Sequence, residues 1–509
     1  MRLSLTNSVL AVLSAIAILT ALWRLHQNYA GVQIAEMNVD GTPATIYRPA
    51  SAPLGPVVLI AHGFAGSGKL MQSFALTFAR NGYIAATFDF RGHGRNPKPL
   101  TGNLTEVEGA TKALVAETAK VAAAVRPLGD GRLAVLGHSM ASDIVVRFAE
   151  SDPTVAATIA VSMFSPAVTA TSPRNLLVIV GDWEGFLKTE ALRAIGLATS
   201  PKAAEPSVTY GEIDKGTGRR AAFSPHVEHA SVLFSQSSMR EAVDWLDQTF
   251  GVARTAPLQL DARGPWIMLL LAGVVGFARP LFAFLPVVAI PRVGAGLNWR
   301  RLWGPLLIPM IATPLLLRVL PTHFLPVLVA DYLSVHFAVY GPIAAICVIA
   351  LHRRTRAAAP SRISYLALAG AALAITAYGF IALVWPIDTF VTSFVPGPER
   401  LVLTAAMLVG TLSYFLSDEW MTRGIGAGWG AYAASKLAFL LSLSLAVAFD
   451  FERLFFLILI VPIIAVFFIV HGLFSGWAYR RAGHPFAAGI ANAIAFAWAI
   501  GVTFPLIAG

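Results

Sequence analysis

Leu133-Ala134-Val135-Leu136-Gly137-His138-Ser139-Met140-Ala141 is the stretch on which the fold turns. Its apolar start reads as a buried strand. Gly137-His138-Ser139-Met140-Ala141 then breaks that strand, and a helical pattern runs from Ser139 to Glu150. A serine held on a sharp strand-to-helix turn has its hydroxyl lifted above the sheet edge, and small neighbours are needed because the turn is crowded. Ala141 stands where glycine is usual, but alanine also lacks a long side chain. A serine that only caps a helix would look the same in isolation. The flanking chain therefore has to decide.

Three other runs share the strand character: Pro56-Val57-Val58-Leu59-Ile60-Ala61, Ile84-Ala85-Ala86-Thr87-Phe88-Asp89 and Leu176-Leu177-Val178-Ile179-Val180-Gly181. Helical stretches such as Leu104 to Val125 separate them. Strands alternating with helices imply a mostly parallel sheet covered on both faces, hence an α/β fold. Ala61-His62-Gly63-Phe64-Ala65-Gly66-Ser67 follows the first of these runs. A glycine-rich turn there offers backbone N–H groups to a tetrahedral oxyanion, with Phe64 and Met140 as the two donors. A plain strand-to-helix turn explains the glycines, but not their order ahead of Gly137-His138-Ser139. Gly63-x-x-Gly66-x-Gly68-Lys69 superficially imitates a phosphate cradle, yet it occupies the slot of the oxyanion turn.

Asp89-Phe90-Arg91-Gly92-His93-Gly94 comes next. His-Gly, then Asp-x-Arg-Gly-His-Gly, then Gly-His-Ser-Met in this order resembles the α/β-hydrolase superfamily, in its esterase, lipase and peptidase branch. The resemblance covers roughly residues 40 to 250 and not the apolar half. Arg91 and His93 read as structural or pocket-lining. Triad order in this fold is serine, acid, histidine. The acid should follow a late strand, and Val180-Gly181-Asp182-Trp183-Glu184 offers two carboxylates. The resemblance implies an acid three residues after such a glycine, which favours Glu184 and leaves Asp182 as alternate. For the histidine, Pro225-His226-Val227-Glu228-His229-Ala230 precedes the helical run Met239 to Phe250. The family tendency favours His229, with His226 second. Residues Gly185 to Ala222 are either a small cap or an ordinary helix-plus-strand connection.

The chain of 509 residues is 56% hydrophobic and only 13% charged, where soluble domains carry about 25% charged residues. Part of it therefore belongs in lipid. An apolar run from about Val9 to Trp23 reads as an uncleaved anchor, since the small residues Ala30 and Gly31 come late, behind Arg24, His26 and Gln27. Beyond Pro265 about eight further spans begin near Pro265, Trp303, Phe324, Ile363, Leu401, Gly428, Phe451 and Phe486. The expected division is an anchor over 1–30, an α/β domain over 31–255 and a polytopic helical domain over 256–509.

The net charge of +10 does not imply nucleic acid. With the N-terminus inside, the cytoplasmic loops hold Arg292, Arg300 and Arg301; Arg353, Arg354, Arg356 and Arg362; Arg423; and Arg480 with Arg481. The opposite loops hold little beyond Arg318, Arg400 and Arg453, a positive-inside pattern. It predicts an integral protein of a bacterial-type inner or plasma membrane, with the α/β domain outside the cytoplasm. Cys347 is the only cysteine, so no intrachain disulfide forms.

No metal-ligand spacing stands out, His471 and His484 are isolated, and no cofactor is implied. Lys436, Asp331, His336 and Arg279 interrupt apolar runs. Structural ion pairs or snorkelling side chains explain them more simply than a transport path. The leading expectation is a membrane-tethered serine esterase or lipase acting on an acyl ester that partitions into the bilayer. A serine peptidase or acyltransferase on the same scaffold is the second reading. A transporter or signalling protein with a hydrolase-like domain that only binds is the third.

Overall fold

Helix α1 (Leu5–Gln27) leads into a sheet of nine strands in the order β1-β2-β4-β3-β5-β6-β7-β9-β8. These are β1 (Val32–Val39), β2 (Thr42–Pro49), β3 (Val57–Ala61), β4 (Ile84–Phe88), β5 (Leu133–His138), β6 (Val155–Val161), β7 (Leu176–Gly181), β8 (Thr209–Tyr210) and β9 (Arg219–Ser224). The computed structural model describes residues 4–50, 54–102, 106–199, 203–352 and 361–508. The chain divides into two compact units. The sheet-bearing unit comprises Thr20–Leu269 with Ile387–Phe394 and Pro505–Gly509; the helical unit comprises Met1–Leu19, Leu270–Pro386 and Val395–Phe504.

The six strands from β4 to β9 in that order run parallel, while β1, β2 and β8 are antiparallel to their neighbours. Parallel strands are covered on both faces, so they read as unbroken apolar runs. Every residue of β3, β5 and β7 is buried. Successive side chains point to opposite faces of a strand. Val58 and Ile60 accordingly pack with Phe74 and Phe78 of α2 (Gln72–Arg80), while Val57 and Leu59 pack on the other side with Leu114 of α3 (Lys112–Val125) and Val145 of α4 (Met140–Ser151). Each such buried aliphatic side chain contributes roughly 1.5–3 kcal/mol.

Helix α5 (Gly185–Gly196) settles the connection between acid and histidine. Its Ala191, Ala194 and Ile195 are fully buried against Val178, Val180 and Ala221, so it covers the sheet and is not a cap. Helix α6 (Gln236–Phe250) buries Trp245, whose indole N–H donates to the Asn175 carbonyl at 2.9 Å.

Eight helices among the described residues are long and apolar enough to cross a membrane. They are α1, α7 (Arg263–Phe282), α9 (Ala330–His352), the run from α10 (Tyr365–Gly379) through α11 (Trp385–Phe390), α12 (Pro398–Thr422), α13 (Ala431–Phe449), α15 (Phe456–Ala482) and α16 (Phe486–Thr503). A short α14 (Phe451–Leu454) precedes α15. The expected span near Trp303 is α8 (Trp299–Leu316), which is not among the eight. Arg300, Arg301 and three prolines dilute its apolar character.

Arg400 is not a loop charge. It is fully buried in α12 and donates to the carbonyls of Gly501 and Phe504 at 3.0 and 2.8 Å. Arg353, Arg354 and Arg356 lie outside the described residues. Pro280 sits within α7 and does not end it. Lys436 meets Asp418 at 2.5 Å and lies over the rings of Tyr414 and Tyr432. Asp331 pairs with His323 at 3.3 Å, and His336 meets Ser442 at 3.0 Å.

Where the sheet-bearing unit runs into α7, Asp261 and Arg263 are both buried. Arg263 donates to Asp261 through Nε (3.0 Å) and Nη2 (3.1 Å). A buried charge stripped of its partner is costly. We expect Asp261→Ala to destabilise this unit by about 3–5 kcal/mol, measured as a lower unfolding midpoint in detergent.

Candidate active site

Strand β5 ends at His138, α4 starts at Met140, and Ser139 takes the whole turn with φ 53° and ψ −119°. A non-glycine residue held there is strained, and such strain persists only where the surroundings enforce it. The enforcing contacts are local. The Ser139 N–H donates to the Val161 carbonyl at 2.9 Å, and the Ser139 carbonyl accepts from the N–H and hydroxyl of Ser142. A Cβ at Gly137 would run into the Ala141 carbonyl oxygen, so glycine is required at that position. Ala141 itself is fully buried without conflict.

Ser139, His229 and Glu184 come together from three separate loops. His229 Nε2 lies 2.9 Å from Ser139 Oγ, and its Nδ1 lies 2.6 Å from Glu184 Oε1. The second carboxylate oxygen of Glu184 accepts from the Ser162 hydroxyl and the Gly181 N–H, both at 2.7 Å. The carboxylate is thus fixed at two points before it meets the imidazole, and its side chain is 6% exposed against 35% for His229. Glu228 stabilises the histidine loop by accepting from the N–H groups of Ala230 and Ser231. Burial works to raise the Glu228 carboxyl, but those N–H groups, the Ser231 hydroxyl and nearby His229 together hold it below the usual glutamate value.

The alternates lie elsewhere. Asp182 is 46% exposed and pairs with Lys188 at 2.9 Å. His226 is exposed, with φ 59°. Of the two expected oxyanion donors, Met140 is the first residue of α4, where an N–H has no partner inside its own helix. Phe64 follows Gly63 in the glycine-rich turn, which lies directly against the serine. A Cβ on Gly63 would stand 3.0 Å from Ser139 Cβ and 3.1 Å from His138 Nδ1. A side chain there would push the two turns apart.

Three contributors escaped the sequence reading: Ser162, Gly63 as a contact point, and His138. Ser162 follows β6 with φ 52°, a position that nothing in its neighbours marks. His138 sits beneath His229, with ring centroids 4.9 Å apart, and its Nε2 meets the His229 carbonyl at 3.0 Å. A carbonyl only accepts, so Nε2 carries the proton. The Asp89 loop proves structural. Asp89 accepts from the N–H groups of Gly68 (2.6 Å) and Arg95 (2.7 Å), and the Arg91 N–H donates to buried Glu117 at 2.9 Å.

A cavity of about 330 Å³ lies against β1 and β2, lined by Glu36, Lys69, Asp89 and Arg95 among others, and no triad residue lines it. Among the described residues, no group of three His, Cys, Asp or Glu is gathered to hold a metal ion.

Residues 56–222 match the family described as alpha/beta hydrolase fold. The chain therefore carries an α/β-hydrolase domain, and membership of that fold supports hydrolase chemistry. The chain is 26% identical over 136 residues to a quorum-quenching protein of Acinetobacter baumannii, a stretch covering 26% of this chain and 43% of that protein. It thus spans less than half the length of that relative. A solved Thermus thermophilus structure aligns with TM-score 0.33 and 17% identity, covering 44% of this chain and 99% of that one. A membrane phospholipase A described as a bacterial virulence factor aligns with TM-score 0.32 and 14% identity, covering 47% and 92%.

Burial, aided by the neighbouring His229 and His62, lowers the His138 imidazole from its ordinary 6.5 to about 3, against the opposing effect of its bond to the His229 carbonyl. The unfolded chain therefore takes up this proton first as pH falls. The associated stability is complete above pH 6.5 and is lost progressively between 6.5 and about 3. We expect the unfolding midpoint to fall across this window and His138→Gln to flatten the fall, the difference at the acid end amounting to about 3–5 kcal/mol. Thermal scans at stepped pH provide the check.

Proposed function

We propose that the sheet-bearing unit is a serine hydrolase that cleaves carboxylic esters through an acyl-enzyme. One observation carries this reading: a single imidazole bridges Ser139 Oγ and the twice-anchored Glu184 carboxylate. With Nδ1–H donated to Glu184, the Nε2 lone pair faces the serine and accepts its proton as Oγ attacks the ester carbonyl. The oxyanion forms between the N–H groups of Phe64 and Met140. His229 then returns the proton to the leaving alkoxide, the acyl group stays on Ser139, and water activated by the same imidazole releases the acid.

An apolar acyl group is favoured over a peptide by the surface beside the acid. Phe164 and Phe186 stack with centroids 6.0 Å apart, two residues beyond Ser162 and Glu184 respectively. With Trp183 they are more than half exposed. Exposed apolar clusters of this kind mark binding sites. With the membrane-spanning helices of the same chain, they favour a lipid-like acyl ester as substrate and the bilayer as its source. An outward-facing hydrolase unit fits the arginine pattern with α8 crossing the bilayer as a ninth span.

Fluorophosphonate labelling of the full chain tests the nucleophile. Labelling should vanish in Ser139→Ala and fall at least about 10³-fold in His229→Ala. It should persist in His226→Ala and Asp182→Asn. Robust labelling of Ser139→Ala would refute the assignment. For the acyl group, Phe186→Ala combined with Phe164→Ala should lower kcat/KM on long-chain p-nitrophenyl esters about tenfold while sparing the acetate. A uniform loss across chain lengths would argue for the peptidase or acyltransferase reading.

A further inference from the structure

Ile387–Phe394 comes more than a hundred residues after Leu269, where the main stretch of the sheet-bearing unit ends, yet it belongs to that unit, and it grips the far end of the glycine-rich turn. Asp388 is the centre of the grip. Its Oδ2 accepts from Lys69 Nζ at 3.0 Å and from Arg95 Nη2 at 2.8 Å, and its backbone carbonyl takes a second bond from Lys69 Nζ at 2.8 Å. Its Oδ1 also accepts from the Phe394 N–H at 2.8 Å, so the carboxylate is itself held. Beside it, the Ser67 hydroxyl lies 2.9 Å from the Thr392 hydroxyl and accepts from the Ser393 N–H, also at 2.9 Å.

Asp89 joins the same two stretches through backbone, taking the N–H groups of Gly68 and Arg95. Two carboxylates from distant parts of the chain thus tie residues 67–69 to Arg95. Between Gly63 and Ser67 the turn is held at its start, where the Gly63 carbonyl meets His62 Nδ1 at 2.8 Å and the Gly66 N–H at 3.1 Å, and Ala65 sits at φ 58°. A strained turn keeps its shape only when its ends are fixed. An oxyanion donor displaced by about 1 Å loses much of its effect.

We propose that Asp388 is a positioning residue for the oxyanion turn, acting through Lys69. The inference rests on the serine-hydrolase reading above. Removing the Asp388 charge leaves Lys69 and Arg95 as adjacent cations with no shared counterion. They then repel, and the turn drifts from Ser139. The substrate surface around Phe164 and Phe186 is untouched. The loss therefore falls on the chemical step.

The test uses full-length protein in detergent. Asp388→Asn should lower kcat about tenfold with KM within twofold, and slow fluorophosphonate labelling by the same factor, at a temperature well below its unfolding midpoint. Lys69→Gln, a partly exposed position, should produce a smaller loss of the same kind and serves as the deciding variant should Asp388→Asn not fold. A merely structural role would lower the unfolding midpoint while leaving kcat and the labelling rate unchanged, and that result overturns the proposal while leaving Ser139 as nucleophile. Absence of labelling in the folded wild type would overturn both.

Discussion

The 2.6 Å contact between Glu184 Oε1 and His229 Nδ1 is the constraint around which the site is organised. It joins the loop after β7 to the loop after β9. Through His229 Nε2 it reaches Ser139 beyond β5, and through Ser162 it reaches the end of β6. Four adjacent parallel strands are thereby stitched at their carboxyl ends, where ligands bind in sheets of this kind. Each strand alone only places a loop. The shared imidazole turns four loops into one arrangement, and the strained Ser139 backbone is tolerable because it is held from both sides.

Much of this was readable from residue type and order. The four apolar runs became β3, β4, β5 and β7 within a residue at each end, because strands buried on both faces leave a continuous hydrophobic record. Ser139 announced itself through the small residues its turn demands, and the choice of Glu184 and His229 over Asp182 and His226 agrees with where the structure brings side chains together. Less was taken from the edges. Asp40-Gly41 at positive φ closes the β1–β2 hairpin, a turn signal present in the sequence. Strands β6 and β9 are less uniformly apolar, β9 beginning with two arginines, so their strand signal is weak.

What could not be read was contact between residues distant in the chain. Nothing local to Ser162 says that its hydroxyl will meet a carboxylate twenty-two residues on. Arg400 looked like a loop charge because composition cannot show that two carbonyls of α16's end wait for it. Prolines lie inside both α7 and α8 without ending either helix, and α8 falls short as a span on composition, through its two arginines and three prolines. A proline's effect depends on whether neighbours take up the carbonyl it frees, which is a property of the packed bundle.

The sheet-bearing unit draws on three stretches of chain, the last being Pro505–Gly509, whose Leu506 exchanges backbone bonds with Gly92 and Leu100. On a ribosome those stretches emerge in order. Residues 20–269 are complete on the order of tens of seconds before the closing segments exist, given synthesis at roughly 5–20 residues per second. Until then Lys69, Arg95, Gly92 and Leu100 lack the partners that these segments supply. The contacts of Asp388 with Lys69 and Arg95, and those of Leu506 with Gly92 and Leu100, therefore form last, after the membrane helices between them have been made.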